Sequence, residues 1–337
     1  MKTKLLTIIS TFILTTLSCL AETEVRLTVI DENRNPVEEA ETWVWYANPV
    51  SRENQGTRIT EYTDAEGKVT ASESGPLGIS IRVKKEGFYP WGHNPAKRDR
   101  FASDTMPEIL ERTVHLRRIL NPIPLFFKRS VGGRIPAEKT WVGFDFEQGD
   151  WVTPHGEGKV SDILFWYERE FIRFRPTNLG IEQLRIENRR KFERLGEHWD
   201  EDLFREQAGI WDGKLEIAFP NEKEGLINVE DEFIPQSVLR MPHEAFPEGY
   251  QSTYSYTVEE GNRYGRRDDI GFFLRTRVVI DEDGEIISAN YAKIYGDFDF
   301  RAVGYIGFTY YFNPEPNDRN LEFNGENLFP GGRSAMP

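Results

Sequence analysis

The chain has 337 residues, and 42 Lys and Arg against 56 Asp and Glu leave a formal net charge of −14. Hydrophobic residues make up 38% and aromatics 13%, enough apolar material for a core, which excludes a wholly disordered chain. The single cysteine, Cys19, leaves the rest of the sequence without disulfides, thiolate nucleophiles or zinc–thiolate centres, and the acidic balance argues against nucleic acid or an anionic membrane as partner.

In chain order, the first segment reads as a secretory signal. Lys2 and Lys4 precede an apolar stretch from Leu5 to Leu17, shorter than the about 20 residues a bilayer span needs. Cys19-Leu20-Ala21 is a small-residue cleavage site, so residues 1–21 are expected to be removed after Ala21 and the protein to be secreted or periplasmic. Thr16-Leu17-Ser18-Cys19 leaves a lipid anchor at Cys19 as the alternative.

From Glu22 to Arg118 short alternating segments are separated by turn formers. Val25, Leu27 and Val29 have the period of a half-buried strand, which the cluster from Asp31 to Pro36 must end. Thr42, Val44 and Tyr46 alternate with Trp43 and Trp45, which share the opposite face. Thr63 to Lys68 reads as a hairpin loop in which Gly67 takes the positive φ. Ile79, Ile81 and Val83 make another strand, and Val114 with Leu116 a closing one. The pattern predicts a small antiparallel β-sandwich.

Three motifs in this region occur in a familiar order: Asp31-x-x-x-x-Pro36-Val37-x-x-Ala40, Thr63-Asp64-Ala65-x-Gly67, and Lys85-x-Gly87-Phe88-Tyr89-Pro90. Over residues 24–118 the chain resembles the carboxypeptidase regulatory-like domains, which are similar to transthyretin (prealbumin). The resemblance implies a seven-stranded sandwich with an accessory, scaffolding role and no catalytic residue. The stretch from Trp91 to Glu111 departs from it as an insertion.

Asn121-Pro122-Ile123-Pro124 marks a boundary, which gives domains of 22–118 and 119–337. Beyond it, Ile163, Phe165 and Tyr167 alternate, as do Leu215, Ile217 and Phe219, and Phe308, Tyr310 and Phe312. Phe272, Leu274, Thr276, Val278 and Ile280 pair with Ile286 to Tyr295 across Asp281-Glu282-Asp283-Gly284, a hairpin turn rather than a calcium loop, because the bidentate glutamate is missing. Ile181, Leu184, Asn188, Phe192, Leu195, Trp199 and Leu203 fall at spacings of three and four and predict one amphipathic helix, interrupted by Gly196. The expected fold class is mainly β: a transthyretin-like antiparallel sandwich followed by a larger C-terminal β-sandwich or jelly-roll-like domain with one inserted helix. The second region, with Gly149-Asp150-Trp151-Val152-x-Pro154-His155-Gly156 and Tyr311-Phe312-Asn313-Pro314, resembles the C-terminal part of secreted bacterial proteins of unassigned activity, and this implies no chemistry.

No serine-hydrolase elbow, His-Glu-x-x-His pair or phosphate loop occurs. Two candidate sites remain. Asp150, Trp151 and His155 lie in the densest polar stretch, where a carboxylate and an imidazole make an acid–base pair or an oxygen/nitrogen metal site if the Pro154 bend brings them together. Otherwise Asp150 caps a turn and His155 sits in a glycine-bracketed loop. Trp43 and Trp45 make a platform for a sugar ring or peptide if exposed, or an apolar seam against the second domain if not. The expectation is a non-enzymatic binding or structural protein of the envelope, needing no cofactor or metal, with a glycan or envelope protein as partner and no nucleic acid. The alternative is a carbohydrate-active hydrolase whose carboxylate/His site lies in the C-terminal domain.

Overall fold

The computed structural model describes residues 22–47, 56–74, 78–93, 108–176, 180–196, 198–230, 241–260 and 270–331; residues 1–21, where a signal segment is expected, and with them Cys19, lie outside these. The chain is mainly β and divides into two compact units, residues 1–118 and 119–337. Among the described residues no helix is long and apolar enough to cross a membrane.

In the first unit, β1 (Glu22–Ile30) lies between β4 (Lys68–Ser74) and β7 (Ile109–His115). The facing sheet runs β3 (Gly56–Tyr62), β2 (Glu41–Ala47), β5 (Gly78–Lys84), β6 (Trp91–His93). Period-two alternation turns Val25, Leu27 and Val29 of β1 inward against Val44 and Tyr46 of β2 and Ile79, Ile81 and Val83 of β5. The Tyr46 hydroxyl donates to the Ala71 carbonyl at 2.6 Å, tying β2 to β4 across the core. All neighbouring strands are antiparallel except β1 and β7, which run parallel because the chain crosses over from the other sheet before β7.

The motif residues build the turns. Asp31 is 1% exposed; its carboxylate accepts the backbone N–H of Asn33 (2.9 Å) and Asn35 (2.8 Å) and a 3.0 Å bond from Arg118. Thr63 accepts the Ala40 N–H and donates to the Val37 carbonyl. Gly67 has φ 71°, and a Cβ there would stand 2.4 Å from the Val29 carbonyl oxygen, so only glycine closes this loop.

The second unit is a two-sheet sandwich. One sheet runs β10 (Asp150–Trp151), β9 (Val142–Asp145), β11 (Ile163–Phe174), β12 (Gly209–Ala218), β14 (Thr253–Val258). The other runs β13 (Gly225–Glu230), β15 (Ile270–Ile280), β16 (Ile286–Tyr295), β17 (Tyr305–Asn313), β8 (Ile123–Arg134), β18 (Phe323–Asn327). Phe144, Phe146, Phe165, Phe272, Phe298, Phe308 and Tyr310 fill the space between them. On the outer side of the second sheet Phe273 and Tyr291 pack with Met241, Ala245 and Leu321. This strand is covered on both faces, which is why Ile270 to Leu274 is continuously buried instead of alternating.

Two expectations are corrected in detail. The even alternation through Ile280 stops at Thr276, because Arg277 adopts φ 53° at a bulge and leaves Val279 and Ile280 half exposed. The single helix is a pair, α1 (Ile181–Leu195) and α2 (Glu201–Ala208), inserted between β11 and β12. Gly196, at φ 70°, ends the first with its N–H on the Glu193 carbonyl, and Asp200 caps the second by accepting from the N–H of Asp202 and Leu203. Phe204 is the buried anchor of α2, against Phe174 and Trp199.

Candidate functional site

The loop that carries Asp150 and His155 is held by its own backbone. Strands β9 and β10 pair Asp145 with Asp150 and Phe144 with Trp151. Asp150 accepts the N–H of Trp151 (2.8 Å) and of Glu157 (2.9 Å), so its carboxylate is engaged in the turn. Gly156 passes over it so closely that a Cβ would stand 2.7 Å from Asp150 Oδ2. His155 is exposed, past a cis Thr153–Pro154 bond, with its backbone N–H on the Val152 carbonyl. Trp151 is half-buried and packs against the core, edge-on to Phe144 at 5.4 Å and Phe165 at 5.8 Å. Of the predicted trio, Asp150 caps the loop, Trp151 packs and His155 faces solvent. Among the described residues no three His, Asp, Glu or Cys side chains converge to hold a metal ion.

Beneath this loop lies a charged cluster. Asp162 is 0% exposed and Asp145 2%. Arg277 donates to both Asp162 oxygens (2.8 and 3.0 Å), to Asp145 (3.2 Å) and to Glu147 (2.5 Å). The Thr276 hydroxyl and the Phe146 N–H complete the donors to Asp162. Asp145 also accepts the N–H of Glu147, Gln148, Lys159 and Val160. Burial works against ionisation of Asp145, but the backbone donors outweigh it and hold the carboxyl below its ordinary range. Burial opposes the Arg277 charge as well; Asp162 first, then Glu147 and Asp145, outweigh it and push the guanidinium above its usual value. With both oxygens of Asp162 and of Asp145 matched by donors and the guanidinium stacked 4.8 Å from Phe312, the cluster is a structural pin between the sheets. Sequence reading missed it because β15 and the 145–162 loop are joined only in three dimensions.

Asp31 makes a pH prediction for the first unit. Burial pushes its carboxyl up, but the Asn35 N–H, Arg118, the Asn35 amide and the Asn33 N–H outweigh this and hold it below the ordinary carboxylate range. A carboxyl whose folded pKa is depressed releases its proton more readily folded than unfolded, so its stabilisation is complete above the unfolded value and is lost as pH falls through the folded one. Unfolding of this unit is expected to become easier below about pH 5, and Asp31→Asn to flatten that acid limb, as followed by urea melts between neutral and acid pH. An unchanged limb in the variant would remove Asp31 as its source.

Trp43 and Trp45 stand half-buried on the outer face of the four-stranded sheet, as alternation requires. Strand β2 is central to β3 and β5, and the registers place Arg82 opposite Trp43 and Arg58 opposite Trp45. The two guanidiniums come from opposite neighbouring strands and lie 5.0 Å (Arg58) and 4.9 Å (Arg82) from the Trp43 ring, cation–π contacts of about 0.5–1 kcal/mol each. Arg58 reaches Glu41 only at 4.0 Å. The Trp45 indole lies over Gly56, where a Cβ would come within 2.9 Å of the ring. The result is a surface combining indole faces with guanidinium donors. Arg58 and Arg82 were not singled out from the sequence; the signal was their outward parity on strands that flank the tryptophans, readable only once the register is known.

No protein-family model matches the sequence, and no curated protein matches it. Among solved structures, the chain is similar to 3-chlorocatechol 1,2-dioxygenase from Rhodococcus opacus 1CP, at 13% identity over 29% of this chain and 60% of that one, with a TM-score of 0.24. Catechol 1,2-dioxygenase from Acinetobacter sp. ADP1 matches at 11% identity over 32% and 55%, TM-score 0.25. The dioxygenase domain of a dioxygenase carbohydrate-binding protein fusion from Streptomyces sp. SirexAA-E matches at 13% over 31% and 82%, TM-score 0.23. The matched stretch spans less than two thirds of the first two, and similarity of this extent carries no statement about ligand or activity.

Proposed function

We propose that this chain is a secreted or envelope-associated protein that binds an acidic glycan and performs no chemistry on it, with residues 24–118 as a carboxypeptidase regulatory-like accessory module. The observation that carries the reading is Trp43 with the Arg58 and Arg82 guanidiniums 5.0 and 4.9 Å from its ring, and Trp45 beside it on the same face. Indole faces suit the C–H faces of sugar rings, and guanidinium forks suit carboxylates. Two sheets of three and four strands support the module assignment. The hydrolase alternative draws no support from Asp150, whose carboxylate serves the loop backbone, or from His155, which is exposed on that loop.

The test is electrophoresis through gels containing alginate or, as neutral control, a β-glucan. Alginate is expected to retard the protein, and Trp43→Ala or Arg82→Ala to weaken that retardation about tenfold, roughly 1.4 kcal/mol. Equal retardation of wild type and variants, no retardation by alginate, or release of new reducing ends from it would overturn the proposal.

A further inference from the structure

We propose that a second, separate site for a small aromatic carboxylate lies in the cleft of the second unit between α2, the start of β12 and the turn from Arg301 to Tyr305. It goes beyond the glycan reading and uses none of its residues. The cleft encloses about 440 Å³, in the range of small-molecule pockets.

Its walls are set by close backbone approach. A Cβ at Gly213 would stand 2.6 Å from the Ala302 Cα, so the 301–305 turn presses directly on β12. That turn is closed by the Arg301 N–H on the Tyr305 carbonyl and the Gly304 N–H on the Arg301 carbonyl, with Gly304 at φ 87°. Two aromatic rings, Trp211 and Tyr305, line the cleft and are held from behind. Arg169 stacks 4.8 Å from Trp211 and Arg134 5.5 Å from Tyr305, and both guanidiniums pair with Glu206. Glu206, the one acid lining the cleft, is thereby neutralised.

Two further arginines, Arg175 and Arg301, line the same cleft. Both are exposed, and neither has a carboxylate partner among the described residues, although the chain as a whole is strongly acidic. Arg175 is aimed by its Nε, which donates to the Gly209 carbonyl at 3.2 Å and leaves the terminal nitrogens for a ligand. A guanidinium fork without a counter-ion beside indole and phenol rings suits a planar apolar body that ends in a carboxylate. Leu203, Val258 and Val303 add apolar wall, and besides the rings of Trp211 and Tyr305 the one uncharged polar side chain lining it is Gln207, which fits a benzoate better than a sugar with its many hydroxyls.

Calorimetry with the full chain tests this, using 4-hydroxybenzoate and, as its neutral counterpart, 4-hydroxybenzyl alcohol. The benzoate is expected to bind about tenfold or more tightly than the alcohol, and Arg175→Gln or Arg301→Gln to cost about tenfold each. Arg301→Lys, which keeps the charge without the fork, should fall between. Trp43→Ala is expected to bind the benzoate unchanged, so loss of the glycan surface and loss of this site are told apart. Alcohol binding within about threefold of the benzoate, arginine variants indistinguishable from wild type, or no heat at millimolar benzoate would each overturn the proposal.

Discussion

Arg277→Ala is expected to destabilise the second unit by about 3–5 kcal/mol, because it leaves two buried carboxylates without their cation. Asp162 is fully enclosed and keeps only the Thr276 hydroxyl and the Phe146 N–H as donors once the guanidinium is gone. Asp145 retains its backbone donors and Glu147 is partly exposed, so the cost falls mainly on Asp162. Arg277→Lys keeps a charge but cannot serve both Asp162 oxygens together with Asp145 and Glu147, and should lie between the two. Urea unfolding with separate probes for the two units reads the effect: the transition of the second unit should move while that of the first stays in place. A cost below about 1 kcal/mol would show that water reaches Asp162 in the variant and that the cluster is not the pin described above.

Phe308→Ala should cost a comparable about 3–5 kcal/mol through a different cause. Phe308 is 3% exposed and packs on Phe144 and Phe165 of the facing sheet and on Phe298 of the segment leading into β17. Truncation removes apolar burial and opens a cavity whose walls are themselves rigid rings, which cannot collapse into it. Ile280→Ala, one hairpin away but half exposed, should change stability by no more than about 0.5 kcal/mol. Equal losses at the two positions, measured by the same urea melts, would contradict the core as assigned.

The same two residues show where the sequence can and cannot be read. Phe308, Tyr310 and Phe312 announce a strand because every second side chain is apolar, and they are buried as that pattern requires. Val278 and Ile280 continue an equally good alternation, yet a bulge breaks the pairing register just before Val279. The break exists because Arg277 turns inward to meet acids more than a hundred residues earlier, and no local pattern contains that information. The helix insertion behaves likewise: the three-and-four spacing locates it, and Gly196 with Asp200 divides it, but the burial of Phe204 depends on β11 and Trp199.

For the binding surfaces the division is sharper. Trp43 and Trp45 were recognisable as neighbours on one face from their spacing alone. Asp150 and His155 looked equally suggestive, being polar and close in sequence, but the close pass of Gly156 commits Asp150 to backbone donors and leaves His155 in solvent. Neither the arginines around Trp43 nor the cleft arginines Arg175 and Arg301 belong to any motif.

By itself the sequence determined the layered β character, the positions of the tight turns at Asp31, Asp64 and Asp281, and which face of β2 the tryptophans occupy. These follow from side-chain parity and from turn residues that hydrogen-bond their own backbone, both properties of a few adjacent positions. Only the tertiary structure decided which strand lies beside which, that Arg277 would close on Asp162, and that Arg175 and Arg301 would meet Trp211 and Tyr305 in one cleft. Strand register and the desolvation of charge depend on partners distant along the chain, and their energies arise only when those partners pack together.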